Sequence, residues 1–130
     1  MAGAGEPRAI VVPPGAGRRV GNVEFLARTA DTPFFNLAII VLQPGQGVST
    51  HRHDAEDDSF LVLEGTLTVT LGEDAHKVEA GPGTFVLVPC DTPHAIVNAG
   101  PTDVRFVNVH SPGGFDRRIG LGDPRRRTVS

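Results

Sequence analysis

Residues 59–71 read SFLVLEGTLTVTL, which are two apolar segments joined by the turn-forming pair Glu64-Gly65. In the second segment, TLTVTL, threonine alternates strictly with apolar residues. This alternation is typical of a β-strand with one buried face, because successive side chains of a strand point to opposite sides. The stretch therefore predicts two consecutive strands rather than a helix.

Short apolar runs that are bounded by Gly or Pro continue in both directions from this stretch. Sixteen Gly and eleven Pro leave few windows that are long enough for a helix. The apolar runs between these breakers predict short strands at Ala9–Val12, Val20–Ala27, Phe34–Leu42, Ser59–Leu63, Thr66–Leu71, His76–Glu79, Thr84–Val88, Ala95–Asn98 and Val104–His110. Closely spaced strands without alternating helices predict an all-β fold, a small antiparallel sandwich or barrel, with little helix beyond one short segment in the tail.

The length and charge of the chain narrow its possible functions. A chain of 130 residues is long enough for one compact domain. Its net charge of −3 is uneven, because residues 116–130 carry +3 and the preceding 115 residues carry −6. An acidic body argues against a nucleic-acid partner, since phosphate recognition requires a basic face. We interpret the run Arg125–Arg127 as part of a solvated terminus.

Cysteine usage and hydropathy bear on the cellular compartment. The single cysteine, Cys90, excludes an intrachain disulfide, and we expect it to be a small buried packing residue. The N-terminus lacks the pattern of a signal peptide, and no apolar run approaches the ~20 residues that span a bilayer. We expect a cytoplasmic protein without a membrane partner. Its predicted organisation is an N-terminal arm with a first short strand (1–19), a β-barrel domain (20–112) and a basic tail (113–130).

Residues 51–58, HRHDAEDD, concentrate the chemistry of the chain. On a strand, His51 and His53 would project from the same face, so both imidazoles could reach one ion. The alternative is a pair of surface histidines beside acidic residues. With a carboxylate, the two imidazoles would form a mixed nitrogen and oxygen site that suits Zn, Fe, Mn, Co, Ni or Cu rather than Mg or Ca. We interpret Asp54 and Glu56 as solvated loop charges.

A third histidine, His94, lies far along the chain between a Pro-flanked turn and a predicted strand. Taken alone, a histidine in such a position is more often structural than a metal ligand. A strand-rich chain that supplies two histidines early nevertheless needs a third from elsewhere to close a metal site.

The spacing of these residues resembles the two sequence motifs of the single-domain cupins, most nearly the quercetin-dioxygenase-like group. The first motif corresponds to Gly45, five residues, His51-Arg52-His53, four residues, Asp58, six residues and Gly65. The second corresponds to Gly83, five residues, Pro89-Cys90-Asp91, two residues, His94, three residues and Asn98. The resemblance implies a jelly-roll antiparallel β-barrel that holds one divalent transition metal ion, Fe, Mn, Ni, Cu or Zn.

The resemblance also implies a ligand set of His51, His53, His94 and Asp58. Asp58 stands where the family has Glu, and it is one methylene shorter, so it could reach the ion directly, through a water or not at all. Its neighbour Asp57 is the competing carboxylate. Asp91 stands where the family has Gly, and Asp tolerates the left-handed backbone conformation better than most residues.

Residues an even number of positions from an expected ligand on the same strand point to the same face as that ligand, so they are the candidates that line the pocket. These candidates are Phe60 and Val62, counted from Asp58, and Ile96 and Asn98, counted from His94, and Phe106 of the last strand is a further candidate. On the last strand, Phe106, Asn108 and His110 share one face, and the sequence leaves open whether that face points inward. We interpret His110 as a strand-end residue near the rim and His76 as an exposed residue.

A metal in an apolar barrel predicts metal-dependent chemistry on a small organic substrate. The resemblance to the quercetin-dioxygenase-like group implies, as the leading hypothesis, a dioxygenase-like oxygenase that acts on an enol or a catechol. The alternatives are a Zn-type isomerase or polyketide cyclase, a non-enzymatic metal-dependent small-molecule binding barrel, and a barrel that has lost its metal. Because cupins often pair sheet edges or exchange early strands, we also expect a homodimer formed through Ala9–Val12 and Val20–Ala27.

Overall fold

The computed structural model describes residues 8–121, which form ten β-strands and one short helix. In chain order these are β1 (Arg18–Val20), β2 (Val23–Ala27), β3 (Asn36–Leu42), β4 (Gly47–His51), β5 (Asp57–Glu64), β6 (Leu67–Leu71), β7 (His76–Ala80), β8 (Phe85–Val88), β9 (His94–Val97), β10 (Val104–Ser111) and α1 (Phe115–Arg118). No helix within residues 8–121 is long and apolar enough to cross a membrane. The basic run Arg125–Arg127 lies outside the described residues.

The strands form two antiparallel sheets around a shared core. One sheet has six strands in the order β1-β2-β3-β10-β5-β8, and the other has four in the order β4-β9-β6-β7. Buried apolar side chains from both sheets form one cluster, with Phe25 and Phe106 from the first and Leu67 and Val69 from the second. The expected all-β jelly-roll barrel with little helix is confirmed.

Strand β10 lies at the centre of the larger sheet and determines which residues face the barrel interior. Its register pairs Phe106 with Ile40 of β3 and His110 with Asp58 of β5. Phe106, Asn108 and His110 are buried, whereas Arg105 is exposed. The face that the sequence left open therefore points inward.

Several strand predictions were wrong in detail. Residues 9–12 form no strand and are mostly exposed, because the following Pro13-Pro14 lacks backbone N–H donors for a sheet. The predicted strand Val20–Ala27 is instead a hairpin of β1 and β2, broken at Gly21, whose φ of +57° forms the turn. Strand β4 was missed, since its residues are largely exposed and show no apolar alternation.

The turn before β9 differs from expectation at one residue and agrees at another. Cys90 is exposed, so its prediction as a buried packing residue was wrong. Asp91 has φ +63°, the left-handed conformation that its side chain was expected to tolerate. His76 is exposed at the start of β7, as predicted.

Candidate metal centre

Four predicted ligand residues converge at one end of the barrel. His51 is the last residue of β4 and pairs with His94, the first residue of β9. Asp58 lies at the start of β5, in the opposite sheet. His53 lies in the loop between β4 and β5 rather than on a strand, yet its ring is 4.9 Å from that of His51. His51 and His53 therefore face the same site, as expected, but the conformation of the loop brings them together and not the alternation of a strand.

The donor atoms are spaced as ligands of one ion would be. Oδ2 of Asp58 is 3.1 Å from Nε2 of His94 and 3.4 Å from Nε2 of His53. One donor atom from each of His51, His53, Asp58 and His94 lies within 4.8 Å of all the others. Two atoms bound ~2.1 Å from one ion are at most about 4.2 Å apart, so the cluster is at or near binding separation.

The two candidate carboxylates point in different directions. Asp58 is buried and faces the histidines, and the amide of Asn108 donates a 2.6 Å hydrogen bond to its Oδ1. Asp57 is exposed and accepts a hydrogen bond from the backbone N–H of Cys90. Despite its shorter side chain, Asp58 therefore reaches the cluster, and Asp57 does not compete with it.

Backbone carbonyls orient two of the imidazoles. Nδ1 of His51 donates to the carbonyl of Ser49 at 2.7 Å, and Nδ1 of His94 donates to that of Thr92 at 2.9 Å. Because a carbonyl only accepts, these bonds keep a proton on Nδ1 and turn Nε2 toward the cluster, where Nε2 of His94 lies 3.1 Å from Oδ2 of Asp58. Nε2 of His53 is buried in the cluster without a hydrogen-bond partner. This unpartnered nitrogen, beside two further imidazoles that present Nε2 and a buried carboxylate, is a donor set that fits a transition metal ion.

The protonation equilibria of the cluster are shifted by burial and by its own charges. Burial alone would raise the pKa of Asp58, but the surrounding rings of His110, His53 and His94 hold it well below its usual range. Burial lowers the pKa of His51 and favours its neutral, metal-binding form. For His94, burial opposes the charged form, but hydrogen bonds to Asp58 and Thr92 outweigh it and raise the pKa.

The cluster opens into an apolar cavity of about 250 Å³. Three of the four candidate ligands, His51, His53 and Asp58, line it. Among the described residues, the rest of its wall consists of Asn108, His110 and seven apolar residues, which are Val23, Ile40, Val48, Phe60, Ile96, Phe115 and Ile119. A wider surface groove adjoins it and shares Val23, Ile40, Val48, Ile96 and Phe115. The cluster is therefore reachable from solvent through a largely apolar passage.

Two of the five predicted lining residues, Phe60 and Ile96, contribute to this wall. Val62, Asn98 and Phe106 do not line the cavity but are buried elsewhere in the barrel. Strand parity identified inward residues, but it could not say how far along the barrel the cavity extends. Asn98 lies beyond the end of β9, where its amide donates to the carbonyls of Leu42 and Thr102.

The sequence interpretation missed His110 and Glu56. His110 lies one residue before the end of β10, as expected, but it is 3% exposed rather than at an open rim, and its Nε2 is 3.4 Å from Oδ1 of Asp58. Glu56 was expected to be solvated but is also 3% exposed. Asp54 is exposed, as predicted. The alternation of Asn108 and His110 with Phe106 was the signal that could have identified His110.

Comparison with known proteins agrees with this architecture. Residues 38–110, over half of the chain, match the family described as Cupin domain. The chain belongs to the cupin family. This cupin is 32% identical to Protein SchB of Streptomyces halstedii over 98 residues, which cover 74% of this chain and 69% of SchB. It is also 32% identical to Polyketide synthase CurC of Streptomyces cyaneus over 101 residues, 78% of this chain and 63% of CurC.

Solved structures show the same fold. A predicted oxalate decarboxylase from Thermotoga maritima superposes with a TM-score of 0.67 at 24% identity, covering 79% of this cupin and 99% of that chain. Across its curated relatives, the matched region spans between 14% and 69% of the relative's length.

Proposed function

We propose that this cupin is a metal-dependent enzyme that acts on a small organic molecule through an enol or catechol oxygen. The observation that carries this proposal is the position of the donor cluster, which opens into an apolar cavity. The four residues that would hold the ion are His51, His53, Asp58 and His94. Three or four protein ligands leave positions open on a transition metal ion, as in catalytic sites.

The wall of the cavity provides binding and exclusion of water. Phe60, Ile96 and Phe115 supply apolar contacts to the carbon skeleton of a substrate. Among residues 8–121, His110 is the one ionisable side chain in the wall outside the proposed ligand set, and its buried Nδ1 has no hydrogen-bond partner there. It is therefore available to hydrogen-bond a substrate oxygen. A bound ion supplies Lewis acidity and, for Fe, Mn, Ni or Cu, a means of activating O2.

Two reaction classes use such a substrate. A dioxygenase-like reaction is our leading proposal, because the wall offers few acid–base groups and leaves most of the chemistry to the metal. The similarity to Polyketide synthase CurC supports a second candidate, a Zn-type isomerase or cyclase, since polyketide chains are rich in enolisable dicarbonyl units. A substrate larger than the cavity would place its reacting end inside and its remainder in the adjoining groove.

We expect the protein loaded with Fe, Mn, Ni or Cu to consume O2 in the presence of a catechol or a 1,3-dicarbonyl enol. An oxygen electrode measures the uptake, and mass spectrometry of the organic compound identifies the product. The double variant His51→Ala/His94→Ala serves as the control and is expected to be inactive.

Product formed under nitrogen by the Zn-loaded protein, without O2 uptake, would replace the oxygenase proposal by the isomerase or cyclase. A compound that binds but is recovered unchanged in air would contradict both reaction classes and favour a binding barrel. If no enol or catechol binds to any metal form, the substrate class itself is wrong.

We further propose that a second copy of the chain covers the outer face of the larger sheet. On this face Phe85 and Leu87 of β8 are 60% and 54% exposed, and Leu61 and Leu63 of β5 lie beside them. Val107 and Val109 of β10 continue the same apolar surface. A contiguous exposed surface of several large apolar side chains is uncommon on monomers. Such a face can pack against the same face of a second copy about a two-fold axis.

The double variant Phe85→Asp/Leu87→Asp is therefore expected to convert a dimer into a monomer, because it places four charges in a dry interface. Light scattering coupled to size exclusion at micromolar concentration measures the mass. Val11→Asp is the matched control and should remain dimeric, because Val11 is 88% exposed and belongs to none of the strands that form this face. A monomeric wild-type protein would refute this surface as a self-association site.

A further inference from the structure

Glu56 is a buried carboxylate in the loop that also carries His53. At 3% exposure it requires a charged or hydrogen-bonding partner, since an isolated buried charge is strongly unfavourable. Arg118 of α1 supplies one, as Nη1 donates to Oε2 at 2.7 Å and Nη2 donates to Oε1. The planar guanidinium thus holds both carboxylate oxygens in a fixed orientation.

The same carboxylate faces the outer nitrogen of His53. Oε1 of Glu56 is 3.8 Å from Nδ1 of His53, just beyond hydrogen-bond distance. His51 and His94 each have a backbone carbonyl that fixes Nδ1, but His53 has no such partner. In metalloproteins the outer nitrogen of a ligating histidine usually donates to a carboxylate or a carbonyl. Glu56 is placed to fill this role for the one histidine that lacks it.

Helix α1 is anchored independently of Arg118. The carboxylate of Asp116 accepts hydrogen bonds from the backbone N–H and the hydroxyl of Thr29 at 2.9 and 2.6 Å, and its own N–H donates to Asn36. The ring of Phe115 stacks on His110 with centroids 3.9 Å apart. The guanidinium is therefore presented from a fixed segment that also forms part of the cavity wall.

From these contacts we propose that Arg118 and Glu56 are a positioning pair for His53. With a metal ion at the cluster, Nδ1–H of His53 would close the 3.8 Å separation and donate to Glu56, which directs Nε2 to the ion, while Arg118 keeps the carboxylate in place. The pair connects the C-terminal helix to the metal centre, and it touches neither substrate nor metal. This proposal rests on the proposed function, because it requires a metal ion at the cluster.

The test measures metal affinity rather than turnover. We expect Glu56→Gln and Arg118→Ala each to weaken Co²⁺ and Zn²⁺ binding by about 10- to 100-fold in competition with a chromophoric chelator. Their Co²⁺ visible absorption spectra should change as His53 loses its orientation. Arg118→Lys keeps the positive charge but lacks the planar guanidinium. Its metal affinity should lie between that of the wild type and that of Arg118→Ala.

Two matched controls separate positioning from general electrostatics. Asp54→Asn removes an exposed acid from the same loop, and Arg117→Ala removes an exposed arginine from the same helix. Both should bind metal like the wild type. The double variant Glu56→Gln/Arg118→Ala leaves no buried unpaired charge, so it tests the pair even if Arg118→Ala does not fold. The double variant should bind metal no more weakly than the single variants, because each of the three proteins loses the same Glu56–Arg118 pair.

The outcomes distinguish the two proposals. If the wild type binds neither ion, the proposed function fails. If the wild type binds and Glu56→Gln and the double variant match its affinity and Co²⁺ spectrum, the positioning pair is wrong while the proposed function stands. An equal loss in Asp54→Asn would likewise overturn the pair, since loop charge alone would then explain the effect.

Discussion

Replacing Asp58 by asparagine is expected to weaken transition metal binding roughly 100-fold or more, because loss of a direct ligand should cost at least as much as loss of a residue that only orients a ligand, about 10- to 100-fold. Asp58 supplies the one carboxylate of the cluster, with Oδ2 3.1 Å from Nε2 of His94. Asparagine keeps the shape but removes the negative charge that attracts the cation. It also presents an amide that can place an N–H donor toward the site. Chelator competition with Zn²⁺ and Co²⁺ measures the affinity.

Two further variants control the Asp58→Asn experiment. Asp57→Asn changes the adjacent exposed carboxylate, which points away from the cluster, and should leave metal affinity unchanged. Asp58→Glu restores the residue of the cupin motif and should retain most of the affinity. Wild-type affinity in Asp58→Asn would instead indicate a site of three histidines with no carboxylate ligand.

Replacing Phe106 by alanine is expected to lower the free energy of unfolding by about 3–5 kcal/mol. Phe106 is fully buried on the central strand β10 and packs edge to face against Phe60, with ring centroids 5.7 Å apart. The loss combines the removed apolar surface with the cavity that remains. Because domains are stable by only about 5–15 kcal/mol, this is a large fraction of the total. Urea unfolding of the metal-free protein measures it.

The matched control for Phe106 is Phe34→Ala. Phe34 is 74% exposed, so its truncation should change stability by less than about 1 kcal/mol. A similarly small cost for Phe106→Ala would contradict the packing described for the barrel core. Phe106 does not line the cavity, so a folded Phe106→Ala protein should still bind metal.

The fold could be predicted because its strands carry local signals. Alternation in TLTVTL and the runs that end at Gly or Pro mark most of the strands without any long-range information. The errors occur where local signals are weak. Strand β4 is exposed at the edge of its sheet, and residues 9–12 are apolar but pair with no strand among residues 8–121.

The candidate ligands could be predicted because motif spacing identifies them, but their surroundings could not. His110 is brought beside Asp58 by the register of β10 against β5, 52 residues apart in sequence. Arg118 and Glu56 are 62 residues apart and meet only because α1 folds back over the barrel. Glu56 is buried because of that tertiary contact. Its sequence context is an acidic loop, which predicted a solvent-exposed side chain instead.

The central claim is that His51, His53, Asp58 and His94 bind one transition metal ion. Its most direct test is elemental mass spectrometry of the wild-type protein, purified without a His tag or chelator, beside the variant His51→Ala/His94→Ala. We predict close to one equivalent of Fe, Mn, Ni, Cu or Zn in the wild type and loss of that metal in the variant. Absence of metal from the wild type even after reconstitution, or equal metal in both proteins, would contradict the claim.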